Sequence, residues 1–224
     1  MRTRSLVILA ALAALLCLAP ARALAQAPAT LAILPFENNA VTDQKMYEPL
    51  SQGLASMLIT DLKLAGTGLK VIERAQIAAI LKEVALSQSG MVDSATAVQA
   101  GRLLGAQSIA FGSFMVLGND VRLDARIINV ETSECLMAAS ITGSKGEFMK
   151  LERQLAEKIA ASLKVSLAQI PPAASGMDAA LLYSRGLEAL DRGDRPGAEK
   201  LFAETVKADP AYTRQVEGIM AALK

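Results

Sequence analysis

The sequence predicts a mixed α/β fold: one sheet that joins a parallel βαβ unit to an antiparallel meander, packed by helices and followed by a small all-α unit. Three observations predict it. Residues 105–142 (GAQSIAFGSFMVLGNDVRLDARIINVETSECLMAASIT) read as three short strands joined by two tight connections. The segment before them alternates strand-like apolar runs with helical apolar stripes. Residues 170–176 (IPPAASG) interrupt all periodicity, and the spacing beyond them is helical.

Residues 31–36 (LAILPF) form a short apolar run of strand formers closed by Asn38 and Asn39, the pattern of a buried strand. Leu50, Leu54, Met57, Leu58 and Leu62 then recur at helical spacing, with Pro49 suited to a first turn and Gly66 or Gly68 as the stop. Residues 69–72 give a second brief strand, and Ile77, Ile80, Leu81 and Val84 mark the stripe of a second helix. Strand, helix and strand at this spacing imply a parallel pair with a right-handed crossover.

Asp93 is placed to cap a third helix over residues 94–104, and Gly105 suits the left-handed position after it. In the meander, residues 117–120 (LGND) supply the glycine and asparagine that a two-residue hairpin turn requires, and residues 130–134 (VETSE) supply the second connection. Between them Val121, Leu123, Ala125 and Ile127 alternate with Arg122, Asp124 and Arg126, which predicts one buried and one wet face. A long helix follows residues 143–146, with Leu151, Leu155, Ile159, Leu163 and Leu167 on one face. It should cover the sheet.

The amino terminus carries Arg2 and Arg4, an apolar run over residues 6–19, and an A-x-A site at residues 23–25, the order of a cleaved secretory signal. That run of about 14 residues is short of the roughly 20 that span a bilayer, so no integral membrane segment is expected after cleavage. Cys17 follows Leu15 and Leu16 rather than a small residue, which argues against lipidation. The expected organisation is a signal at 1–25, an α/β domain at 26–168, a linker at 169–176 and a helical unit at 177–224. The exported part holds 20 basic and 22 acidic residues, a balance that predicts no nucleic-acid partner. Cys135 is then its single cysteine, expected as a packed strand residue, so no intramolecular disulfide can form.

The chain has no histidine, which removes the commonest general base and metal ligand together. Zinc and iron–sulfur sites lack a ligand set, and Cys–His and Ser–His nucleophiles cannot be built, so neither metal nor cofactor is expected. Asp43, Glu48, Asp61, Glu73 and Glu83 fall on or beside polar helix faces, where solvated charge is the ordinary reading. Residues 66–68 (GTG) lack the Gly-Lys-Ser/Thr continuation of a phosphate loop and read as a helix end. Glu73 and Arg74 sit at a strand-to-helix junction, Glu for the helix dipole and Arg for a neighbouring carboxylate.

Residues 179–210 resemble one tetratricopeptide repeat: Leu182, Gly186, Ala198, Phe202 and Pro210 fall at its signature offsets, with Gly193 and Asp194 at the interhelix turn. Arg185, Ala189 and Thr205 depart from it, and residues 211–223 would be a capping helix. A single repeat buries little by itself and should dock on the first domain, on another copy or on a partner. Leu182, Gly186 and Phe202 are its candidate partner-binding residues, with core packing as their first reading.

The run VIERAQIAAILKE, followed by AGRLLGAQSIAFGSF and VRLDARIINVETSE, resembles the periplasmic domain of the curli secretion protein CsgG and its HfaB-like relatives. The opening LAILPFEN is similar to the first strand of that group and of the related LpoB-like and TolB-amino-terminal-like proteins. The resemblance spans roughly residues 30–145 and implies a mixed-sheet α/β domain, a Gram-negative envelope location, and work by contact with envelope proteins or with further copies of itself. It implies a non-enzymatic assembly module. The alternatives are a curli-type outer-membrane channel subunit and an LpoB-like activator of a peptidoglycan synthase. A channel needs two membrane hairpins with strands of about 9–11 residues. These would be expected at residues 118–120 and 143–146, and neither place has the residues.

Overall fold

The computed structural model describes residues 29–63, 68–85, 93–167 and 176–222. The expected signal segment, Cys17, Gly66, most of the expected linker, Leu223 and the side chain of Val84 lie outside the described residues.

Strand β1 (Ala29–Ile33) leads through the short β2 (Glu37–Asn38) and the single turn α1 (Gln44–Tyr47) into helix α2 (Leu50–Lys63). Next come β3 (Leu69–Val71), α3 (Arg74–Ala85) and α4 (Ser94–Leu103). The meander is β4 (Ser108–Leu117), β5 (Asp120–Asn129) and β6 (Cys135–Ser144). Helix α5 (Phe148–Ser162) follows. The carboxy-terminal helices are α6 (Met177–Asp191), α7 (Arg195–Ala208) and α8 (Thr213–Ala222).

The six strands form one sheet in the order β3-β1-β4-β5-β6, with β2 pairing β4 beyond the end of β1. β1 is parallel to both β3 and β4, whereas β4, β5 and β6 are antiparallel. The fold is therefore the mixed α/β class that the sequence predicts, followed by helices. β2 and α1 have no sequence expectation. Asn38 accounts for them, because its side chain donates to the Gln44 carbonyl and to Glu48, and its carbonyl accepts from the Gln44 side chain.

Helices α2 and α5 cover the sheet face that carries Leu123, Val121, Ile127 and Ile141, all buried. On the opposite face α4 packs at Ile109, close enough that a side chain on Gly101 would strike Val130. Among the described residues no helix covers the rest of that face, across β4 to β6. Asp93 caps α4 by accepting from the Thr96 amide at 2.8 Å. Gly105 stops it at φ 63°, with the Ala106 amide reaching back to the Gly101 carbonyl, a six-to-one Schellman closure.

The long helix ends sooner than its leucine repeat suggests. α5 stops at Ser162, Lys164 takes φ 58°, and the Val165 amide closes on the Ala160 carbonyl, so Leu163 and Leu167 lie beyond the helix. Periodicity alone does not register a stop made by backbone bonds.

Candidate functional site

Two places hold polar side chains in numbers: the open sheet face, and a junction buried beneath the carboxy-terminal helices.

The open face follows from the alternation along β5. Arg122, Asp124 and Arg126 project from it, opposite Met115, Ser113 and Phe111 of β4 and Thr142, Ser140 and Ala138 of β6. Together with Asp93 and Ser94 at the start of α4, these strands bound a hollow of about 630 Å³. Arg122 Nε donates to Asp124 Oδ2 at 2.8 Å, and Nη2 donates to Oδ1 at 2.9 Å. Burial pushes the Asp124 carboxyl up, but hydrogen bonds from Arg122 and Ser140 and the charges of Arg122 and Arg126 outweigh it and hold the group below its ordinary value. Asp124 therefore stays ionised, and the hollow presents alternating charge, with Met115 and Leu117 exposed beyond it along β4.

The buried junction has no signature in the local sequence. Asp61, expected on a wet helix face, is 3 % exposed: its Oδ2 accepts from Arg153 Nη1 at 3.0 Å and its Oδ1 from Gln215 Nε2 at 3.3 Å. Its burial has a simple cause: the helices that cover it carry Arg153 and Gln215, far away in sequence. Beside it Glu152 is 0 % exposed, and neither of its carboxylate oxygens has a hydrogen-bond partner. Burial first, and the neighbouring Asp61 charge second, push the Glu152 carboxyl well above its ordinary value, against Arg153 and Arg214. Among the described residues no group of acidic or cysteine side chains could hold a metal ion.

The same junction fastens the helical unit. Ser56 of α2 shares a 3.0 Å hydrogen bond with the Tyr183 hydroxyl of α6, and burial raises the phenol's pKa. Arg74 donates to both Asp191 oxygens at 2.8 Å, tying the start of α3 to the end of α6, so the carboxylate expected beside it lies in the helical unit. Glu73 pairs with Lys63. Glu48 accepts from Asn38, Glu83 is exposed, and Asp43 adopts φ 52° before α1.

The three repeat residues fall in different settings. Gly186 and Phe202 are buried against each other, since a side chain on Gly186 would strike the Phe202 ring, and Leu182 is half-buried. The face of α6 bearing Tyr183 and Ser184 is turned onto α2. Of the three docking options, the structure shows the first domain. Cys135, expected as a packed strand residue, is instead exposed at the start of β6, where it donates to the Met137 carbonyl. A bulge between Ile127 and Ile128 displaces that end of the strand.

This geometry defines a class, a mixed-sheet α/β domain with one sheet face open and a helical unit fastened to the helices that cover the other. The α/β unit is CsgG-like: residues 18–122, a little under half of the chain, match the model of the family described as "Curli production assembly/transport component CsgG". No curated protein matches the chain. Among solved structures, the LpoB C-terminal domain from Salmonella enterica is similar at 14% identity and TM-score 0.37, over 53% of this chain and 84% of that one. TolB from Acinetobacter baumannii is similar at 13% identity and TM-score 0.39, over 61% and 28%. A PelC dodecamer from Paraburkholderia phytofirmans is similar at 11% identity and TM-score 0.38, over 60% and 88%. These are distant likenesses of shape.

Proposed function

We propose that this chain is an exported, non-catalytic binding and assembly module of the Gram-negative envelope. The open sheet face makes its working contact, and the helical unit braces α2 from behind. The observation that carries this reading is the hollow over Arg122, Asp124 and Arg126, a charged and partly apolar surface on an otherwise covered sheet. The family match to a curli assembly and transport component supports the envelope setting.

A conduit is the less favoured role. β4 and β5 are joined by Gly118 and Asn119 alone, and β6 passes into α5 through the 3₁₀ turn Lys145–Glu147. Neither connection carries strands of the length a membrane hairpin needs. No described helix is long and apolar enough to cross a membrane.

Photo-crosslinking residues placed at Ser113 and Arg126, in the hollow, and at Lys200, on exposed α7, test the reading in producing cells. Discrete adducts to an envelope protein are expected from the first two positions and not from the third. Adducts confined to position 200 would refute a working sheet face, and stepwise conductance in planar bilayers would install the channel reading instead.

A further inference from the structure

The sheet ends on one side in β3, three residues long, and on the other in β6, ten residues long. Among the described residues nothing pairs with the outer edge of β6. Such an edge exposes a row of amide and carbonyl groups, and proteins ordinarily blunt it with charge, proline or distortion. β6 (CLMAASITGS) has no charged residue and no proline. Its single distortion is the bulge at the Cys135 end, and from Met137 to Ser144 the ladder is regular.

We propose that β6 is an interaction edge taken by β6 of a second copy of this chain, antiparallel about a twofold axis near Ser140. Charge is the argument for that occupant. An edge without charge meets its own copy with no like-charge opposition, and a regular antiparallel edge is self-complementary under a twofold rotation. Centring on Ser140 uses the regular residues 137–143 and stops before the 3₁₀ turn that begins at Lys145. A twofold axis normal to the sheet keeps each side chain on its own face, so position 138 of one copy stands opposite position 142 of the other. Both positions are exposed and small enough for close approach, being Ala138 and Thr142. Cys135 lies outside the paired stretch, so the association needs no disulfide. The inference concerns the edge, and it holds or fails independently of what the sheet face engages.

The test is the oligomeric state of the purified exported chain by sedimentation equilibrium, with and without reductant. A reductant-insensitive dimer is expected. The variant A138K/T142K sets two like-charge pairs across the axis and should weaken the dimer at least about tenfold with unchanged circular dichroism. The variant A138K/T142E sets opposite charges at the same contacts and should restore it. A monomeric wild type overturns the proposal, and this is the result if the edge serves a strand of another protein or a segment of the same chain. A dimer indifferent to A138K/T142K, one abolished by reductant, or an A138K/T142E variant as weak as A138K/T142K also overturns it.

Discussion

Glu152 gives this protein a pH dependence opposite in sign to that of an ordinary paired carboxylate. Unfolded, the group titrates near its ordinary 4.5; folded, burial and Asp61 raise it well above that. Below pH 4.5 both states are protonated and the group costs nothing. Above it the folded chain keeps a proton that the unfolded chain releases, so stability falls by roughly 1.4 kcal/mol per pH unit until the folded value is reached. Thermal melts of wild type and Glu152→Gln should therefore coincide near pH 4 and separate as pH rises, the variant melting higher. Parallel curves would mean that Glu152 is not buried as described. Asp61→Ala removes the buried carboxylate to which Arg153 Nη1 donates, leaving Glu157 at 3.6 Å from its Nε, and should cost about 3 kcal/mol in urea unfolding, while Asp61→Leu with Arg153→Met should cost less than the single change.

At the scale of elements, helix ends and close approaches decide the geometry. Gly105 and Gly193 stop α4 and α6 in the left-handed region that glycine enters freely, whereas Lys164 stops α5 at φ 58° with a side chain that disfavours it. Lys164→Gly should raise stability by about 0.5–1 kcal/mol, read from the urea midpoint at constant slope. Gly53 lies inside α2, where alanine would ordinarily help, yet its added methyl would strike Ser184 of α6. Gly53→Ala should thus loosen α6 and speed amide exchange in α6 and α7 while leaving β4 and β5 protected. Uniform exchange across both regions would contradict a local docking role. These elements differ in legibility for a physical reason. The two-residue turn at Gly118, the cap at Asp93 and the alternation from Val121 to Ile127 are local, so neighbouring residues specify them. β2 and the early end of α5 rest on bonds formed after folding, to β4 and within a closing turn, and their own residues carry no such signal.

Across the whole molecule, the carboxy-terminal helices and the α/β unit share one interior. Ser56 with Tyr183, Arg74 with Asp191 and Asp61 with Gln215 each cross between them, and Tyr183 and Tyr212, both fully buried, pack with tilted rings near the crossing at 5.9 Å. Unfolding should accordingly be a single calorimetric transition, because no boundary of solvated contacts separates the parts. Two resolved transitions would show the helical unit to be an independent domain. The sequence by itself determined the mixed sheet, the order of its strands and helices apart from β2 and α1, the absence of histidine chemistry and the wet side of β5, since each depends on local pattern or composition. Only the tertiary structure decided that Asp61 and Glu152 are buried, that the helical unit rests on α2, and that β6 is left as a bare edge. Burial and exposure at those places depend on which distant segments meet, and that is settled by packing.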